Sequence, residues 1–113
     1  MLAETRLALR IASTKYDAEL AQLIQSAVRD LGIAGITVTG VSLDVSWSGG
    51  EASVTDASTL SDPALTRAII TYVRCHFGSP EDYDRLKAAY DEQKAQLITS
   101  SQYGLRYAGG EEW

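Results

Sequence analysis

The sequence predicts a mostly α-helical fold: a small bundle of three main helices at about 14–31, 62–77 and 80–98, a β-hairpin-like insert at about 36–56, and an extended C-terminal tail. Three observations predict it. Asp62-Pro63 and Ser79-Pro80-Glu81-Asp82 both read as helix starts, with an oxygen-bearing cap followed by proline at the first helical position. Apolar residues recur at steps of three and four on either side of the centre. Between them, Val41, Leu43, Val45 and Trp47 alternate with Ser42, Asp44 and Ser46, the two-residue period of a half-buried strand.

Taken in order, Ala3 to Arg10 is a short apolar and basic stretch. With Leu7 and Ile11 four apart it suits either two turns of helix or a docking arm. Ser13-Thr14 offers a cap, and Asp17 and Glu19 favour the positive end of a helix dipole. The apolar stripe Tyr16, Leu20, Leu23, Ile24, Ala27, Val28 and Leu31 follows, and Gly32 is expected to stop the helix. Ile36 to Thr39 reads as part of a ribbon or as a loop. Ser48-Gly49-Gly50-Glu51 supplies a turn, and Ala52 to Thr55 can return as a shorter partner strand.

The central helix carries Leu65, Ala68, Ile69, Tyr72, Val73 and Phe77 on one face, with Ile70 widening it and Gly78 ending it. The last helix has Tyr83, Leu86, Tyr90 and Leu97, with Gln93 between them, on a narrow seam. Asp84–Lys87, Lys87–Asp91 and Asp91–Lys94 are opposite-charge pairs at helical spacing. Beyond Thr99 the helical signals fade.

At 113 residues the chain has the size of one domain, read as 1–99 with the ribbon inserted at 36–58, followed by an arm at 100–113. Its hydrophobic share of 45% and charged share of 22% are those of an ordinary globular protein, without an apolar run long enough to cross a membrane. Glu4, Arg6 and Arg10 break any secretory pattern, so the protein is read as cytosolic. The single Cys75 excludes an internal disulfide and a multi-cysteine zinc site. A net charge of -5 disfavours sequence-independent binding to nucleic acid, which is built from clustered Lys and Arg.

Catalytic chemistry finds little footing. Cys75 and His76 are adjacent, so on a helix they point about 100° apart and cannot form a nucleophile–base dyad. Glu81, Asp82 and Asp84 are acids of a helix start before they are a metal or acid–base cluster. Gly49-Gly50 lacks the following lysine and helix of a phosphate-binding loop. Tyr72, Tyr83 and Tyr90 sit at helical spacing with no basic patch around them, which favours core over base stacking. No catalytic residue, cofactor or metal ligand is predicted, and the chain is not read as an enzyme.

What remains is apolar surface. An isolated hairpin is marginal in water and a flat strand edge is a pairing template, so Val41, Leu43, Val45, Trp47 and Val54 are expected at a subunit interface. For Trp47 alone, burial inside the subunit stands equally open. Tyr103, Leu105, Tyr107 and Trp113 in the tail must fold back or anchor on a partner.

Several strings carry a resemblance: Leu9-Arg10-Ile11 with Tyr16-Asp17; Asp62-Pro63 leading to Ala68-Ile69-Ile70-Thr71-Tyr72-Val73 and Phe77-Gly78; Tyr83-Asp84-Arg85-Leu86-Lys87; and Tyr90-Asp91-Glu92-Gln93-Lys94. In these the chain resembles the head-tail connector family of tailed phages, also described as adaptor or DNA-packaging proteins. The likeness covers most of the two outer helical parts and little of 35–59, where the insert is longer than the connection usual in that family. It implies a subunit of a ring, commonly dodecameric, beneath the portal, extending the DNA channel and docking the next neck or tail-completion protein. DNA would pass without sequence-specific contact, and no membrane would be involved. The protein would be made in the host bacterial cytoplasm and reside in the virion neck, with Tyr103, Leu105, Tyr107 and Trp113 reaching for the portal. The alternative is a small helical regulatory module associated with DNA or with packaging, which a basic stripe would favour.

Overall fold

A computed structural model describes residues 1–78 and 81–99. These residues form α1 (Leu2–Leu9), α2 (Asp17–Ile33), β1 (Leu43–Ser48), β2 (Glu51–Asp56), α3 (Pro63–His76) and α4 (Tyr83–Ile98), with β1 and β2 antiparallel. The N-terminal stretch is thus a helix held on the body, a fourth beside the three main ones. Leu2 and Thr5 are its buried face, and the Thr5 hydroxyl donates to the Met1 carbonyl at 2.9 Å, which satisfies it inside the core.

α3 starts as its residues dictate. The Asp62 carboxylate accepts from the Ala64 N–H at 2.9 Å and the Leu65 N–H at 3.4 Å, with Pro63 at the first helical position. Leu65, Ala68, Ile69 and Val73 are buried on its main face, and Thr71 and Cys75 are buried as well, so the helix is covered on more than one side. They meet the fully buried Leu20, Ala21, Ile24, Ala27 and Leu31 of α2 in the hydrophobic core.

The end of α2 differs from expectation. Gly32 lies within the helix, which continues to Ile33, and Gly35 is the residue that turns left-handed, with φ 94°. Gly35 N–H donates to the Gly32 carbonyl at 3.0 Å and Ile36 N–H to the Leu31 carbonyl at 2.9 Å. This is the paired closure of a Schellman motif, completed by burial of both Leu31 and Ile36. The start of α2 also differs. Tyr16 is the N-cap without a side-chain cap bond, and the Ser13 hydroxyl serves the Lys15 N–H instead, at 3.0 Å. Asp17 pairs across to Arg6 of α1 at 3.0 Å. α1 closes in the same Schellman pattern on a non-glycine residue, Arg10, at φ 59°.

The strand begins at Leu43 rather than near 36, because the chain from Ile36 to Ser42 is occupied otherwise. Ile36 is buried in the core, and Gly40 (φ 88°) offers its carbonyl to the Thr59 and Leu60 N–H groups at 2.7 and 3.0 Å. A Cβ on Gly40 would lie 3.0 Å from the Leu60 backbone nitrogen, so only glycine lets the two ends of the insert close there.

α4 begins at Tyr83, three residues later than the sequence pattern suggests; Ser79 and Pro80 lie outside the described residues. Leu86, Tyr90 and Leu97 form its buried seam, whereas Tyr83 is exposed. Lys87 pairs with Asp91 at 2.9 Å, but Lys94 reaches Asp30 of α2 at 3.1 Å rather than Asp91. No helix among the described residues is long and apolar enough to cross a membrane.

Candidate docking surfaces

The ribbon is built by a two-residue turn. Ser48 faces Glu51, and Gly49 and Gly50 both have positive φ, 60° and 82°, the pair of left-handed residues that matches the twist of a tight hairpin. In this register Val45 faces Val54 and Trp47 faces Ala52. The base is fastened to the body, with Gln25 of α2 donating to the Leu43 carbonyl at 2.8 Å and Ser42 and Ser58 bonded to each other.

Along one face of β1 the burial falls steadily. Leu43 is 6% exposed and belongs to the subunit's own core. Val41, Val45 and Val54 are partly buried against that core. Trp47, nearest the tip, is 67% exposed. Of the residues expected at an interface, Trp47 therefore offers the largest free apolar area. Beside it runs a groove lined by Lys15 and Tyr16 at the start of α2 and by Gly50, Glu51 and Ala52 of the ribbon. Tyr16 is exposed here, set edge-on to Phe77 at 5.5 Å, and is not in the core stripe assigned to it.

The ribbon is also uniformly charged. From residue 30 to residue 66 the charged side chains are Asp30, Asp44, Glu51, Asp56 and Asp62, without a single Lys, Arg or His. Asp56 turns toward the start of α1 and accepts the Leu2 N–H at 2.8 Å and the Ser58 N–H at 3.0 Å. Burial works against its charge, but these bonds and the Met1 amine hold its carboxyl far below the usual carboxylate range. Asp44 and Glu51 face solvent.

A second surface escaped the sequence reading. Glu4 of α1, Leu60, and Pro63, Arg67, Ile70 and Arg74 of α3 line an open groove. Arg67 and Arg74 are exposed and have no ion-pair partner among the described residues. Glu4 is engaged by the Met1 amine at 2.8 Å. The signal was present in the chain, since Pro63, Arg67, Ile70 and Arg74 recur at helical spacing on the side opposite the core stripe.

The tyrosines divide by depth. Tyr90 is buried, and its hydroxyl donates to Asp30 at 2.6 Å beneath Lys94, whose ammonium lies 5.1 Å from the Tyr90 ring centre. Tyr72 is half-buried and packs edge-on to Tyr90 at 5.3 Å and against His76 at 4.4 Å; Tyr83 is 6.2 Å from His76. Tyr90, buried and engaged in this way, presents no open face for bases. Cys75 is buried, and that burial pushes its thiol up, away from the thiolate a nucleophile needs. Among the described residues no three His, Cys, Asp or Glu side chains are grouped to hold a metal. Tyr103, Leu105, Tyr107 and Trp113 lie outside the described residues.

A family model described as phage connector protein matches residues 1–104. No curated protein and no solved structure matches the chain.

Proposed function

Since the chain belongs to the phage connector protein family, and so is a structural virion component of the head-tail connector, we propose that it is an adaptor subunit whose copies close into a ring beneath the portal. The ring extends the DNA channel and presents a surface to the next neck or tail component. The observation that carries this reading is Trp47. It is 67% exposed at the free end of a ribbon whose other end is sunk in the core, and an indole in that position is a strong interface anchor. Val41, Val45 and Val54 extend the apolar strip behind it, and Leu43 supports it from inside the subunit. A net charge of -5 suits a conduit that does not hold DNA.

Light scattering of the purified protein, alone and with its portal, tests the ring, with negative-stain images reading its closure. A ring in either sample is the expected result. A strict monomer in both, at high concentration, overturns it. The arm from Tyr103 to Trp113 docks on the portal in this reading. Deleting it should weaken portal attachment more than it lowers the melting temperature, and the reverse ranking removes the docking role.

A further inference from the structure

We propose that the edge of β1 in one copy receives the arm of the next. Tyr103 to Tyr107 add there as a third, antiparallel strand, with Tyr103 opposite Trp47, Leu105 opposite Val45 and Arg106 opposite Asp44. This rests on the ring reading above and names the contact between neighbours; Glu111, Glu112 and Trp113, past Gly109-Gly110, are left to the portal. The ribbon has an open edge. The Ser42 carbonyl accepts from the Ala57 N–H at 2.9 Å, and bonded pairs alternate along an antiparallel ladder. Asp44, Ser46 and Ser48 therefore bond inward to β2, while Leu43, Val45 and Trp47 turn their backbone groups outward. Gln25 takes the Leu43 carbonyl. The N–H and carbonyl of Val45 and Trp47 have no partner among the described residues, and an unpaired edge of this kind is a template for an extended segment.

The arm fits that edge on both faces. Tyr103, Leu105 and Tyr107 alternate with Gly104 and Arg106, the two-residue period of a strand, and Arg106 is the one charged residue from 99 to 110. Residues directly opposite each other share a face. Tyr103 and Leu105 thus fall beside Trp47 and Val45 on the apolar side, and Arg106 falls beside Asp44 on the acidic side. A parallel strand that kept Leu105 beside Val45 would set Arg106 against Ser46 instead. A second ribbon is a poorer occupant, since every charged side chain from 30 to 66 is an acid.

The strand comes from another copy because a subunit's own arm is too short. Tyr16 at the start of α2 meets Phe77 at the end of α3, and His76 faces Tyr83 at the start of α4, so these three ends lie together. The groove that Trp47 shares with Lys15 and Tyr16 places the ribbon tip with them. α4 then runs back along α3, with Tyr90 beside Tyr72, and its 16 residues at 1.5 Å each carry Thr99 about 24 Å from that end. The chain from Thr99 to Tyr103 spans at most about 14 Å. An arm given to one neighbour and an edge offered to the other make a head-to-tail contact, the kind that closes rings.

The test uses two chains, both carrying Cys75→Ala, one with Ser46→Cys and the other with Gly104→Cys. They are mixed, alone and with the portal, and oxidised mildly. Ser46 and Gly104 face each other in this register as a non-hydrogen-bonded pair, whose Cα atoms lie close enough for a disulfide. The expected product is a disulfide-linked heterodimer, at a yield at least about tenfold above that obtained when Arg106→Cys replaces Gly104→Cys. Preferential coupling of Ser46→Cys to Arg106→Cys, or no heterodimer in either sample, overturns the pairing. Placed together in one chain, Ser46→Cys and Gly104→Cys should give ladders of linked chains, and a disulfide closed within one chain overturns it too. A second arm needs no thiol. Asp44→Arg and Arg106→Asp should each weaken self-association about threefold or more, and a chain carrying both should recover it. No loss in the single variants, or no recovery in the double one, overturns the register. Asp44 and Ser46 are exposed, and far-ultraviolet circular dichroism checks that the variants fold. Rings without the heterodimer leave the ring reading standing and the strand pairing refuted. The heterodimer without rings does the opposite.

Discussion

The Tyr90 hydroxyl donates to the Asp30 carboxylate at 2.6 Å across 60 residues of sequence. Together with Lys94, 3.1 Å from the same oxygen, it fastens α4 to the C-terminal half of α2. Burial alone would raise the Asp30 carboxyl, yet the bonds from Tyr90 and Lys94 outweigh it and hold the group below its ordinary value. Burial first, and then the bond to Asp30, push the Tyr90 phenol far upward. Tyr90→Phe is expected to cost about 1–2 kcal/mol in urea unfolding, the range of a hydrogen bond to a partly solvated charge. A raised pKa gives stability that is complete below the unfolded value and fades above it. The difference between wild type and Tyr90→Phe should therefore narrow as pH rises past about 10.

Asp56 predicts the mirror image on the acid side. Its carboxylate receives the Leu2 N–H at 2.8 Å and so acts as a distant N-terminal partner for α1, fastening that helix to the foot of β2. Asp56→Asn should destabilise by about 1–2 kcal/mol at pH 7. Because the folded pKa is depressed, the wild-type advantage should be intact above about pH 4 and shrink as pH falls below it. Urea midpoints of both proteins across that range measure it.

Two glycines three residues apart should respond with opposite sign. Gly32 sits inside α2 with open space where a Cβ would go, so Gly32→Ala should stabilise by about 0.5–1 kcal/mol. Gly35, at φ 94°, holds the left-handed position, and Gly35→Ala should cost about 1–2 kcal/mol. Thermal melts of the two variants decide it. Arg10, left-handed at φ 59°, belongs to the same class, and Arg10→Gly should raise the melting temperature.

Leu43 and Trp47 share a strand face and differ in what they do. Leu43→Ala should cost about 2–4 kcal/mol as a core truncation. Trp47→Ala should change monomer stability by less than about 1 kcal/mol while removing self-association. Urea unfolding paired with light scattering separates the two effects.

What the sequence made legible was local. Asp62-Pro63 and Gly49-Gly50 act through chemistry contained within a few residues, and each does in the fold what its neighbours imply. Gly35 rather than Gly32 stops α2, although either glycine can go left-handed; what decides between them is the burial of both Leu31 and Ile36, the latter lying beyond the helix. The two-residue alternation of β1 told which face is apolar and not how deep each residue lies, so Leu43 and Trp47 read alike. Lys94 had an acid at helical spacing in Asp91, and only the approach of α2 to α4 gives it Asp30 instead. The groove with Arg67 and Arg74 is hidden in the sequence for a related reason, since surface arginines on a buried helix look like ordinary solvation until the adjoining helix leaves a furrow beside them.

The tip of the ribbon has nothing within 4 Å of either Gly49 or Gly50 on the side a new atom would occupy. A peptide epitope spliced between them would leave the anchored foot and the helices undisturbed. In the ring proposed above, a subunit so enlarged loses the contact made by the tip of its own ribbon. Added in trace amounts, it would act as a chain terminator, leaving open arcs whose mean length reports the order of assembly.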